Sequence, residues 1–69
     1  MMRANDAKVE WDSNKNRWNI VIQVGAETIR RPCPGQPHET ADEALRLIAV
    51  QTSRDEGYEM DPGRVAIQR

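Results

Sequence analysis

The stretch from residue 17 to residue 24 constrains the fold more than any other part of the chain. Apolar side chains occupy every second position there, at Trp18, Ile20, Ile22 and Val24, and mainly polar side chains lie between them. A period of two places these four residues on one face of a β-strand, where β-branched and aromatic side chains pack well. We therefore predict a central strand with one buried face and one solvated face.

A second alternating segment precedes this strand and predicts a hairpin. Residues 8–12 place Val9 and Trp11 on one face. Residues 13–16 include two asparagines, which tolerate left-handed backbone and favour turns. The hairpin brings Trp11 and Trp18 together near its turn end, where two indoles can supply much of the core volume in a chain without phenylalanine.

A third strand is predicted over residues 27–31. Gly25 suits the first position of a two-residue type II′ turn. The strand contains one clearly apolar residue, Ile29, and this weak pattern is typical of a sheet edge. Three prolines follow within residues 32–38. Because proline cannot donate a ladder hydrogen bond, we expect the strand to end at Pro32 and the chain to continue as an extended connection.

One helix is predicted from Ala41 to Glu56. Thr40 and Glu43 match a capping box, in which each side chain accepts a hydrogen bond from the other residue's backbone N–H. Gly57 is the expected C-terminal stop. The residues expected to form one stripe against the sheet are Ala41, Ala44, Leu45, Ile48, Ala49 and Thr52.

Residues 61–63, Asp-Pro-Gly, predict a turn before a short last strand over residues 64–69. The fold class is then α+β: a two-layer sandwich of β-β-β-α-β order, with one helix packed on a small antiparallel sheet. The 69 residues make a single domain, in which polar residues 1–6 are expected to be disordered. Whether the last strand joins the sheet of its own chain or of another molecule stays open.

Composition favours a cytoplasmic protein without a membrane segment. The single cysteine excludes an intrachain disulfide, and no apolar run predicts a signal peptide or a transmembrane span. The net charge of −1 argues against a purely electrostatic grip on nucleic acid. Residues 8–31 are mildly basic and residues 39–61 are acidic, an asymmetry that either marks a binding surface or reflects ordinary solvated charges.

Catalytic chemistry is not indicated. Cys33 and His38 lie in the proline-rich segment, but two ligands do not complete a zinc site. A Cys–His nucleophilic pair also needs a third, orienting group. We therefore predict neither enzymatic activity, nor a metal, nor a cofactor, and the roles of Cys33 and His38 stay open.

Two surfaces are candidates for binding. Leu47 flanks the apolar stripe of the helix and Val50 points nearly away from it, so they form either a contact patch or ordinary exposed apolar residues. On the solvated sheet face, the nucleic-acid candidates are Arg17, Asn19, Gln23 and Arg30. Side chains of these types bind guanine and adenine edges, and a β-ribbon can enter the major groove.

Two family resemblances rest on short motifs. Trp11 and Trp18 in the hairpin, followed by Thr40-x-x-Glu43-Ala44 at the helix start, resemble the plant ethylene-response-type DNA-binding domain and the arm-binding domains of phage integrases. Pro34-Gly35 and the capped helix start resemble the HicB-type antitoxin domain, which implies a β-β-β-α-β order. Both resemblances cover fragments of the chain, and no functional residue is carried over from them.

The sequence thus predicts a small protein-interaction module: an adaptor, an inhibitor or an antitoxin-like protein, possibly self-associating. The alternative is a nucleic-acid-binding module that uses the exposed sheet face. Partner identity, oligomeric state and biological process stay open.

Overall fold

A computed structural model of the chain describes residues 2–69. It confirms the α+β class: a four-stranded sheet with one helix packed against it, together with a separate two-stranded sheet. The elements in chain order are β1 (Met2–Arg3), β2 (Asp6–Asp12), β3 (Arg17–Val24), β4 (Glu27–Cys33), α1 (Asp42–Asp55), β5 (Tyr58–Glu59), a 3-10 helix (Pro62–Arg64) and β6 (Val65–Gln68).

The main sheet has the strand order β4-β3-β2-β6. β3 pairs antiparallel with both β2 and β4, whereas β6 lies parallel to β2, with Ala7 opposite Val65. The last strand therefore joins the sheet of its own chain. A parallel pair needs a crossover connection, and α1 with the segment after it supplies that connection.

The hairpin of β2 and β3 has the register that the two tryptophans predict. Trp11 lies directly opposite Trp18. The carboxylate of Asp12 accepts hydrogen bonds from the backbone N–H groups of Asn14 (3.0 Å) and Lys15 (3.2 Å), so an aspartate closes the turn from its first position. Asparagine supplies the left-handed residue of this turn, at Asn16 with φ of +50°.

The third strand is longer than predicted. β4 continues through Pro32 and Cys33, which lie opposite Asn19 and Trp18 of β3. Pro32 was expected to end the strand, but β4 is an edge strand. A proline there costs no ladder hydrogen bond if its nitrogen faces away from the sheet.

The helix has nearly the predicted bounds but not the predicted cap. Its N-cap residue is Ala41, and no side chain caps the helix there. The hydroxyl of Thr40 instead donates to the backbone carbonyl of Pro37 (2.7 Å), so the predicted capping box is absent. The expected stop at Gly57 is present, because Gly57 has a φ of +94°, a conformation that favours glycine.

The core lies between α1 and the inner sheet face. Within α1, the buried residues are Leu45, Ala49 and Ser53. The Ser53 hydroxyl donates to the carbonyl of Ala49 (2.9 Å), which satisfies its hydrogen-bonding group inside the core. Ala41, which the stripe included, is exposed because it precedes the helix. The buried core cluster consists of Ala4, Ala7, Val9, Trp18, Ile20, Ile22, Cys33, Leu45, Ala49, Met60 and Val65.

The first described residues of the chain pair with a strand that follows the helix. β1 pairs in parallel with β5, so that Met2 lies opposite Tyr58. Ala4 is buried, and its N–H donates to the carbonyl of Glu59 (2.9 Å). Residues 2–6, for which disorder was expected, thus take part in strand pairing and backbone hydrogen bonds, and residue 1 lies outside the described residues.

Candidate interaction surface

A groove runs along the side of α1, next to the start of β6. Its volume is about 450 Å³. It is open to solvent, and the exposed Leu47 lies along it with 64% of its surface accessible. We call this surface the α1–β6 groove, and its lining residues are Glu43, Arg46, Leu47, Pro62, Gly63 and Val65.

The helical repeat explains why Leu47 is exposed. Leu45 and Ala49 face the sheet and are fully buried. Leu47 is two positions from each of them, which turns it about 200° around the helix axis. The helical repeat that buries Leu45 and Ala49 therefore places Leu47 on the opposite side of α1, away from the core. Its exposure is a consequence of the helix position and cannot be relieved by a rotamer change alone.

The 3-10 helix builds the opposite wall of the α1–β6 groove. Asp61 precedes it, and the Asp61 carboxylate accepts a hydrogen bond from the backbone N–H of Gly63 (2.9 Å). Pro62 occupies the first position of this turn, where its fixed φ suits the helical conformation. These two features hold the wall in place, so the groove is formed before any ligand arrives.

Opposite charges flank the groove. Glu43 lies in the first turn of α1 and is exposed. Arg46 is half-buried, and its Nε lies 3.4 Å from the carbonyl oxygen of Val65. A distance of 3.4 Å is long for an N–H···O hydrogen bond. The hydrogen bond between Arg46 and Val65, the first residue of β6, is therefore weak.

The structure separates the two residues of the predicted apolar patch. Val50 is half-buried and packs against the core cluster. Leu47 is the residue of the pair that lines the α1–β6 groove. The apolar surface that Leu47 exposes consequently continues towards β6.

The nucleic-acid candidates lie on the outer sheet face. Arg17, Asn19 and Gln23 are half-buried on β3, and Arg30 is exposed on β4. Their spacing along the strands keeps them on one face. However, Arg17 lies opposite the acidic Asp12 of β2, so the face is not uniformly basic.

Several polar groups of this face are already paired, although Nε of Arg17 is buried without a hydrogen-bond partner. Glu10 lies at the centre, with its carboxylate oxygens 3.7 Å from Nζ of Lys8 and 3.8 Å from Nη1 of Arg30. The Gln23 side-chain oxygen accepts from the hydroxyl of Thr28 (2.9 Å). A phosphate would have to compete with Glu10 for both cations, which weakens the electrostatic attraction of this face for nucleic acid.

An aromatic cluster lies at the turn end of the hairpin, where the Trp11–Trp18 pair was predicted and the addition of His38 was not. We define the aromatic cluster as Trp11, Trp18 and His38. The indoles meet edge to face, with ring centroids 5.3 Å apart, and His38 stacks on Trp18 at 5.9 Å. The Trp18 Nε1–H donates to the backbone carbonyl of Pro37 (2.9 Å). The proline-rich connection is thereby held against the sheet.

Arg69 covers this cluster from the C-terminal side. Its guanidinium carbon lies 5.5 Å from the ring centroid of Trp18, within the range of a cation–π contact. It also donates to the carbonyls of His38 (2.6 Å) and Thr40 (2.8 Å) and pairs with the carboxylate of Asp42. These groups are distant in the chain and share no periodicity. In the sequence, the feature that could have indicated this cluster was the proline-rich loop with its single histidine.

Cys33 and His38 do not form the pair that a reactive thiol would need. His38 stacks on Trp18, whereas Cys33 is buried opposite Trp18 in the strand register. Burial raises the pKa of the Cys33 thiol, which lowers its thiolate fraction and hence its nucleophilicity. Among residues 2–69, no group of three or more His, Cys, Asp or Glu side chains is placed to hold a metal ion.

Comparisons with known proteins add no assignment. No protein-family model, no curated protein and no solved structure matches the chain. The resemblances to DNA-binding and antitoxin domains therefore stay expectations from sequence motifs. In the part of the chain that the structure describes, no helix is long and apolar enough to cross a membrane.

Proposed function

We propose that this chain is a small non-enzymatic protein-interaction module that binds its protein partner through the α1–β6 groove. The observation that carries the proposal is the exposure of Leu47 along a preformed groove of about 450 Å³. A large apolar side chain next to an apolar concavity, with charges at the rim, has the composition of a protein-binding surface. Such anchors contribute a large share of binding energy in protein interfaces.

The outer sheet face supports the nucleic-acid alternative less well. Glu10 engages both Lys8 and Arg30 there, and the chain carries a net charge of −1. In the groove, most of the Leu47 surface is accessible, so a partner can bury it without first breaking an ion pair. We therefore favour protein interaction over nucleic-acid binding.

Leu47→Asp tests this proposal, because it places a charge where the partner would bury an apolar side chain. Covalent cross-linking in cells that express the tagged protein should yield a protein adduct of the wild type. The adduct should decrease about tenfold in Leu47→Asp, as expected from the loss of roughly 1.4 kcal/mol of binding free energy. Mass spectrometry of the adduct provides the measurement and identifies the bound protein.

Met2→Asp is the matched control. Met2 is as exposed as Leu47, at 67%, but lies on β1 outside the groove. The control variant should keep the adduct. The absence of any protein adduct, or an adduct that both variants retain equally, would contradict the proposed function.

A further inference from the structure

The two edges of the main sheet differ in how they are protected. β4 forms one edge and carries Arg30, Arg31 and Pro32 in succession. Consecutive charges and a proline are devices that discourage the addition of another strand. β6 forms the other edge, and between its ends lie Ala66 and Ile67, which carry no such device. Apart from its short length of four residues, the edge beside the α1–β6 groove is therefore the less protected of the two.

The direction of α1 relative to β6 follows from two contacts. Arg69, just after β6, pairs with Asp42 at the start of α1, whereas Val65 at the start of β6 contacts Arg46 one turn further along. The helix and the strand therefore run antiparallel. The middle of β6 lies beside the first turns of α1, the part of the helix that carries Glu43.

We infer that the partner is a second copy of this chain, with the two β6 strands paired antiparallel about a two-fold axis through the middle of β6. This inference rests on the proposed function and names the partner at the same groove. A two-fold contact is isologous, so each surface must complement itself. The joined strands would make one continuous sheet, and the two α1 helices would lie side by side and antiparallel.

The groove meets the requirement of self-complementarity. It contains an exposed apolar side chain, Leu47, on the side of α1 that would face the helix of the second copy. It also contains one anionic and one cationic residue, Glu43 and Arg46, three positions apart on the helix. In antiparallel helices related by a two-fold axis, Glu43 of each copy faces Arg46 of the other. The interface thus contains two equivalent ion pairs.

Pairing would also replace a weak contact by a regular one. The Val65 carbonyl accepts from Arg46 at the long distance of 3.4 Å. An antiparallel neighbour at this edge offers backbone N–H donors in ladder geometry, and Arg46 is then released towards the opposing Glu43. Since β6 has four residues, the interface is small, and we expect a dissociation constant on the order of micromolar.

Charge reversal provides a test that is specific to a two-fold contact. Sedimentation velocity from about 1 to 500 µM, a range that brackets micromolar affinity, should show a concentration-dependent dimer of the wild type. Glu43→Arg and Arg46→Glu should each raise the dissociation constant about tenfold or more, because both ion pairs become like-charge contacts. An equimolar mixture of the two variants should dimerise again, since every facing pair then carries opposite charges.

Two controls exclude trivial explanations. Asp55→Arg reverses a charge at the far end of the same helix and should leave the dimer unchanged. Circular dichroism should show that each variant is folded. If Arg46→Glu fails to fold because the half-buried Arg46 is lost, the exposed Glu43→Arg variant, compared with the Asp55→Arg control, carries the test.

A wild type that remains monomeric at every concentration would overturn the second-copy inference. A dimer that is indifferent to both charge reversals would do the same. These outcomes differ from failure of the proposed function: a monomer that still loses its adduct to another protein in Leu47→Asp excludes the second copy but keeps the groove as a protein-binding surface.

Discussion

Trp18 joins parts of the molecule that are distant in the chain. Its indole is fully buried, and it contacts Trp11, His38 and Arg69 while its N–H bonds Pro37. Aromatic contacts of this kind add about 0.5–1.5 kcal/mol each beyond the buried area. A single side chain therefore holds the hairpin, the proline-rich connection and the end of the chain together.

Trp18→Ala should consequently be the most damaging aromatic substitution. We expect the free energy of unfolding to fall by about 3–5 kcal/mol, since a large buried ring is lost and a cavity is left. The measurement is urea unfolding followed by circular dichroism. Trp11→Ala is the comparison, because Trp11 is only half-buried and its loss should cost less. Equal losses in the two variants would contradict the central role of Trp18.

At the scale of elements, the predictable parts were those with a regular repeat. The alternation around Ile20 and around Val9 predicted β3 and β2, and the helical stripe containing Leu45 predicted α1. The two-residue strand that begins at Met2 escaped prediction, because two residues cannot show a period. The groove could be predicted only as far as Leu47; its second wall depends on Asp61 capping a 3-10 turn, a contact between loop residues without a repeat.

The sequence pattern and the structure lead to different predictions for β1, which pairs with β5 in the small sheet. Removal of residues 1–4 should be harmless if these residues are disordered. The structure instead predicts a loss of about 1–2 kcal/mol in the free energy of unfolding, because the buried Ala4 and its hydrogen bond to Glu59 are removed.

Urea unfolding of the shortened chain measures this loss. Met2→Ser is the control, because it keeps the backbone pairing and changes only an exposed side chain. An unchanged unfolding midpoint in the shortened chain would show that β1 contributes nothing to stability.

The whole molecule is small and slightly elongated, with a radius of gyration of 11.1 Å and extents of 31 × 21 × 17 Å. A chain of this length buries only about 60% of its unfolded surface, so a partner that covers the α1–β6 groove adds a meaningful share of burial. The net charge of −1 is too small in magnitude to keep two copies apart by long-range repulsion.

The same charge balance predicts weak binding to nucleic acid. In a titration with mixed-sequence duplex DNA at about 50 mM salt, we expect a dissociation constant no tighter than about 10⁻⁴ M, the weak end of non-specific binding. Fluorescence anisotropy of labelled DNA measures it. Micromolar affinity that falls steeply with added salt would instead favour the outer sheet face around Arg17 and Arg30 as the functional surface.

The parallel pairing of β2 with β6 has a consequence for the order of folding. Ala7 and Val65 are neighbours in the sheet although nearly the whole chain separates them, and contacts between such distant residues slow folding because the loop must close first. The hairpin of β2 and β3 can form during synthesis, but the edge at β6 is completed only after residues 65–68 have left the ribosome. A partner that requires this edge therefore binds only chains in which β2 and β6 have already paired.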